Sequence, residues 1–262
     1  MTGSDRSSNT PPTSGSQTQS ADASSKWWIA LVAIVTAIAI ALIGTTAGAV
    51  LVVITTLTLS SAGVDIQPLS EILISLVMAT GLGFGGVAVG YLRYRGQSIR
   101  YVGLHWPSLR HIFLALGGYI SSFILAMSAA VLITLTGTEA ASNSAAEAGR
   151  ANPEILLFLI PASFLLIAPG EELLFRGIVQ STLREILSAP LAIVLASCIF
   201  AAIHYFSLMG APRARLVSIA VLVLPTLIFG SVYEITDNLT VPILTHGAYN
   251  ATLFSILYLQ FA

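Results

Sequence analysis

The chain has 262 residues, of which 55% are hydrophobic and 9% charged, with a formal net charge of −1. A soluble domain carries about 25% charged residues, so this composition excludes an ordinary soluble fold and defines an integral membrane protein. The near-neutral balance offers no basic face for nucleic acid. The single cysteine, Cys198, excludes an intrachain disulfide and a cysteine-rich zinc site.

Residues 1–26 are polar and rich in Ser, Thr, Gly and Pro, a composition that buries no core and reads as a disordered tail. They do not have the pattern of a signal peptide, because no basic start leads into a short apolar core. Lys26-Trp27-Trp28 follows as a membrane-interface anchor. A spanning helix needs about 20 apolar residues. The candidates are 27–55, 72–92, 111–135, 155–170 continuing into 171–187, 190–207, 216–233 and 240–260. The expected fold is therefore all-α, a polytopic bundle of seven to eight spans around a membrane-embedded polar cavity. It divides into N-terminal membrane helices (27–135), a polar loop (136–154) and a second bundle (155–262). The first span is overlong and is expected to tilt or fray around Gly44 to Gly48. Gly81-Leu82-Gly83-Phe84-Gly85-Gly86 lacks the Lys-Ser/Thr of a phosphate loop, and small residues at this spacing let membrane helices approach closely.

The segment 93–111 holds Arg93, Arg95, Arg100 and Arg110 with no acid, which marks it as cytoplasmic. Two spans precede it, so the N-terminus is expected on the same side, at a plasma membrane. The acidic segments 60–71 and 136–154 fit the outside. Seven spans then put Arg213 and Arg215 outside and Glu234 and Asp237 inside, which leaves open a hidden eighth segment or a broken helix near 155–187. His105 and His111 flank the basic loop as interfacial residues. Glu234 and Asp237 are expected as loop charges and Tyr233 as an interface aromatic.

Ionisable residues at membrane depth cost roughly 2.5–3.5 kcal/mol each and mark functional sites by default. Three groups of them interrupt the later spans. Glu172 and Arg176 are four apart and share a helix face, so they can neutralise one another as a scaffold. Glu171 lies about 100° further around the helix with no fixed cationic partner, and is the candidate working carboxylate and general base. His246 and Asn250 also share a face, and imidazole with carboxamide can hold a developing oxyanion. His204 follows Phe200 by one turn and can join a glutamate in orienting a water. Glu171, His204 and His246 could instead ligate zinc, since Glu with two His is a catalytic set. The local His-Glu-x-x-His signature is absent, and spacing does not choose between metal and no metal, so no cofactor is firmly implied.

Glu171-Glu172-x-x-x-Arg176, Phe200-x-x-x-His204 and His246-x-x-x-Asn250, in that order in hydrophobic helices, resemble the three motifs of the CAAX prenyl protease and bacteriocin-processing (CPBP, or Abi) intramembrane proteases. The resemblance covers about residues 155–255. It implies an intramembrane endopeptidase with a water-filled cavity. Glu171 and His204 would activate water there, and His246 and Asn250 would stabilise the oxyanion. The implied partners are membrane lipid and a peptide or membrane-protein substrate. Two other classes stand beside it: a proton-coupled transporter, and a non-catalytic scaffold or immunity protein with the same fold. Internal repeats, which a transporter would favour, are not visible.

Overall fold

A computed structural model describes the backbone from residue 15 to 262, and side chains from residue 26. Eight helices are present among the described residues. They are α1 (Gly15–Ser61), α2 (Pro68–Tyr94), α3 (Leu109–Thr136), α4 (Ser144–Ala151), α5 (Glu154–Arg184), α6 (Ala189–Phe206), α7 (Pro212–Thr236) and α8 (Thr240–Phe261). Two dipeptide strands, β1 (Ser142–Asn143) and β2 (Leu208–Met209), pair antiparallel. The tail expected over 1–26 lies outside the described residues up to residue 14. From Gly15 the backbone is already helical, since no proline interrupts the chain between Pro12 and Pro68.

Six helices are long and apolar enough to cross a membrane: Lys26–Ser61, Pro68–Tyr94, Leu109–Thr136, Glu154–Arg184, Ala189–Phe206 and Pro212–Thr236. The polytopic all-α bundle expected from sequence is therefore the observed fold. α8 is 22 residues long, but His246, Asn250 and its threonines dilute its apolarity. α5 is one unbroken helix from 154 to 184, so the segment from 155 to 187 does not split into two passages. It carries Pro161 and Pro169 inside its length and changes to π-winding over Ser163–Ile167 and Leu173–Gln180. Each proline removes one intrahelical donor, and the wider turns absorb the mismatch without ending the helix.

α1 is continuous through Gly44 and Gly48, where fraying was expected. These glycines act as contact points. A Cβ at Gly83 would fall 2.6 Å from Gly48 Cα, and one at Gly44 would fall 2.7 Å from Leu174. Two helices can approach this closely only where a side chain is missing. Gly83 therefore fills the packing role read from the glycine-rich stretch, whereas Gly81 and Gly86 face open space. The core gathers on α5, where Phe175 packs edge-on against Phe84 of α2 and Phe200 of α6, at 5.7 and 4.9 Å between ring centroids.

The two ends of the bundle are tied differently. At one end Arg95 meets Glu185 at 2.9 Å and Arg184 meets Glu234 at 2.8 Å. Asn238, fully buried, donates to His105 Nδ1 and His111 Nδ1, both at 3.1 Å. Tyr233 is buried rather than interfacial, and its hydroxyl donates to Val102 O at 3.2 Å. The two histidines, Glu234 and Tyr233 therefore knot the 95–111 segment to the α5, α7 and α8 ends. At the opposite end the stretch expected as a polar loop is partly built. α4 is capped by Asn143, and β1 pairs Ser142 with Met209 and Asn143 with Leu208. This strap lies against the turn that follows His204, with Ser144 N donating to Ser207 O at 3.0 Å.

Candidate active site

The polar groups of α5, α6 and α8 meet inside the bundle. Glu172 and Arg176 are fully buried, while Glu171 and His246 are 8% and 4% exposed. Glu172 Oε2 lies 3.1 Å from Arg176 Nε, the i,i+4 pair expected from sequence. That contact is an ion pair by distance, but it is misaligned for a hydrogen bond, and both atoms are left without a hydrogen-bond partner. We attach more weight to the proximity, because two opposite charges this close in a dry interior attract whatever their angle.

Glu172 has a second partner that sequence spacing did not show. His246 Nδ1 donates to its Oε1 at 2.8 Å, so the scaffold glutamate also orients the histidine. That bond leaves His246 Nε2 facing Glu171 Oε2 at 3.8 Å and accepting from Asn250 Nδ2 at 3.0 Å. Glu171 is thus not directed away from its neighbour's partner. Both carboxylates address one imidazole through its two different nitrogens. The ring is held flat by Phe229, stacked at 4.7 Å with 18° between planes. Gly247 allows α8 to close on α5, since a Cβ there would meet the Phe164 ring at 2.5 Å. Gly170, beside the glutamates, does the same for α2, where Thr80 O occupies the Cβ position at 2.2 Å.

His204 is half-buried at the end of α6, and its Nδ1 donates to Phe200 O at 2.8 Å. Its ring packs on Phe200 at 4.7 Å, and Phe200 in turn lies 6.0 Å from the His246 ring and 5.2 Å beneath the Arg176 guanidinium. Phe200 is therefore the spacer between the two histidines. The structure brings Glu171, Glu172, Arg176, His246 and Asn250 into one connected set, with His204 adjoining through Phe200.

Sequence reasoning stopped at Arg176, but the polar row on α5 continues. Arg176 Nη2 donates to Thr226 O at 3.3 Å, Gln180 Nε2 to Gly230 O at 3.1 Å, and Arg184 Nε to Glu234 Oε1 at 2.8 Å. Each rung joins residue i of α5 to residue i+50 of α7, so the two helices run parallel in step. In a pure α-helix, side chains four apart drift by about 40° per step and the row would wind off its partner. The π-turn at Leu173–Gln180 holds more residues per turn and offsets that drift. The signal was present as polar residues at 172, 176, 180 and 184.

A zinc ion held by Glu171, His204 and His246 would need those three to converge. Among the described residues no three His, Cys, Asp or Glu side chains are grouped to hold a metal. Both ring nitrogens of His246 are engaged, and His204 Nδ1 is committed to a carbonyl. The donor set as arranged does not fit that ion.

Residues 153–252 match the family model described as Type II CAAX prenyl endopeptidase Rce1-like. All three motifs fall inside that stretch. The match supports the CAAX protease family and, in general terms, a CAAX-type intramembrane endopeptidase. No curated protein and no solved structure matches the chain.

Proposed function

We propose that the protein is an intramembrane endopeptidase that hydrolyses a peptide bond of a membrane-associated protein or peptide with water activated at Glu171. One observation carries this reading. A buried glutamate without a cationic partner lies 3.8 Å from the free nitrogen of an imidazole whose other nitrogen is held by a second glutamate. Such ionisable groups are retained at membrane depth where they work. Glu171 takes the proton of the attacking water. The tetrahedral oxyanion meets the Asn250 Nδ2–H and His246, whose protonated form Glu172 stabilises through Nδ1. His204, with Nδ1 fixed on Phe200 O, presents Nε2 as the group that helps orient water. The leaving amine takes up a proton from Glu171. Metal takes no part in these steps.

The basic end of the bundle faces the cytoplasm in this reading, at a plasma membrane. Arg93, Arg95, Arg100, Arg110 and Arg184 stand at that end, against Arg150, Arg213 and Arg215 at the other, an asymmetry of the kind that sets orientation. With α8 as a seventh passage, Glu234 and Asp237 fall at the arginine-rich end. Glu234 is neutralised there by Arg184, so no eighth segment is needed.

The test is cleavage of a membrane-proteome substrate by reconstituted protein. Glu171→Gln, folded to the same melting temperature, is expected to abolish cleavage. Undiminished cleavage by that variant would sink the assignment, and would leave the scaffold or transporter readings.

A further inference from the structure

Three fully buried residues leave polar atoms without a hydrogen-bond partner along one seam: Glu172 Oε2, Arg176 Nε and Nη1, and Gln180 Oε1. They are not scattered. They succeed one another at four-residue steps on α5, against α7. The last of them, Gln180, lines a cavity of about 430 Å³ that opens at the arginine-rich end, walled also by Ser181, Arg184, Tyr233 and Glu234. The first is the carboxylate that holds His246. A buried polar atom left unpaired costs about 1–3 kcal/mol, and natural proteins meet such atoms with ordered water where the site is polar. Gly230 keeps the seam open, because a Cβ there would fall 2.8 Å from Gln180 Oε1.

We propose that this row is a hydration path. Water enters at the cavity, passes Gln180 and Arg176 along the α5–α7 seam, and reaches the buried carboxylates. The distance from Gln180 to Glu172 is about 12 Å, from eight residues of helical rise. The ligand is water rather than a proton, because the fixed guanidinium of Arg176 repels a hydronium in its way. The role in turnover rests on the hydrolytic reading above, in which each cleavage consumes one water into the new carboxyl and amino termini. The path itself does not depend on that reading.

Two measurements separate the claims. Radiolytic hydroxyl labelling reports water beside buried side chains whether or not the protein cleaves anything. Phe200 is 1% exposed and lies under Arg176. It is expected to label in the native protein, to lose that label in Gln180→Leu, and to keep it in Gln180→Glu. Where Gln180→Leu fails to fold, a Cys198→Ala, Ser181→Cys protein modified with a bulky thiol reagent after folding blocks the cavity instead. It should show the same loss. Labelling of Phe200 that is absent in the native protein, or unchanged in the blocked one, overturns the path. For turnover, Gln180→Leu is expected to lower kcat roughly tenfold with KM unchanged, as for a loss confined to steps after binding. Its melting temperature should be undiminished, which a purely structural role of the amide would not allow. Loss of labelling in a protein that cleaves nothing in any form would keep the path and reject the endopeptidase.

Discussion

A carboxylate in the middle of a membrane helix needs a reason to be there, and Glu172 has two, Arg176 at 3.1 Å and His246 at 2.8 Å. Removing either cation strands a buried charge, at about 3–5 kcal/mol for a pair of this kind. Arg176→Ala is therefore expected to lower the melting temperature in detergent sharply, and Glu172→Gln to do so as well. Glu171→Gln should leave the melting temperature near native, since its nearest partner is 3.8 Å away. Equal destabilisation by all three changes would show that Glu171 is scaffold too. The donor geometry also bears on metal. Zinc-dependent activity is lost on chelation and restored by added metal. Strong chelators applied to purified, reconstituted protein are expected to leave cleavage intact, and a reversible loss would require Glu171, His204 and His246 to rearrange into a ligand set.

At the level of helices, contact is governed by where side chains are missing. Gly83 against Gly48 and Gly170 against Thr80 O leave no room for a methyl group. Gly83→Val is expected to cost about 1–3 kcal/mol by overpacking, read as a fall in melting temperature. Gly81→Ala, which meets nothing within 4 Å, should be neutral. A comparable loss at Gly81 would mean that intrinsic helix flexibility, rather than close approach, selects these glycines. The three motifs were legible in sequence because each is an i,i+4 pair on one helix, the one relation that spacing fixes. What Glu172 does for His246 was not legible, because it joins residues 74 apart across two helices. Tyr233, His105 and His111 were misjudged for the same reason. An aromatic or imidazole at a span end looks interfacial until another segment folds over it, as Val102 and Asn238 do here.

For the molecule as a whole, membrane residence followed from composition alone, and the overall bundle from the apolar runs. The span count did not follow so directly. The helix-rich stretch around Glu171 is one passage because π-turns accommodate its two prolines, and sequence patterns do not announce such turns. The ends then sort by charge, which makes orientation testable. In a Cys198→Ala background, a cysteine at Gln97 should label only from the cytoplasmic side. Cysteines at Thr138 and at Gly210 should label together from the other side, since β1 and β2 pair there. Labelling of Thr138 and Gly210 from opposite faces would contradict the passage order from α5 to α7.

The π-turn between Leu173 and Gln180 has a consequence for how the chain tolerates length change. α5 serves two masters. Its Glu171 and Glu172 are phased to α8, and its Gln180 and Arg184 are phased to α7. The wide turn lies between them as an adjuster of frame. Deleting one residue there would rewind the segment toward plain α geometry and rotate everything beyond it by about 100°. Gln180 and Arg184 would swing off Gly230 and Glu234 while both glutamates stayed in place. An indel of one residue in this short stretch would thus uncouple the two halves of the helix, leaving the chemistry assembled but its connection to the arginine-rich face lost.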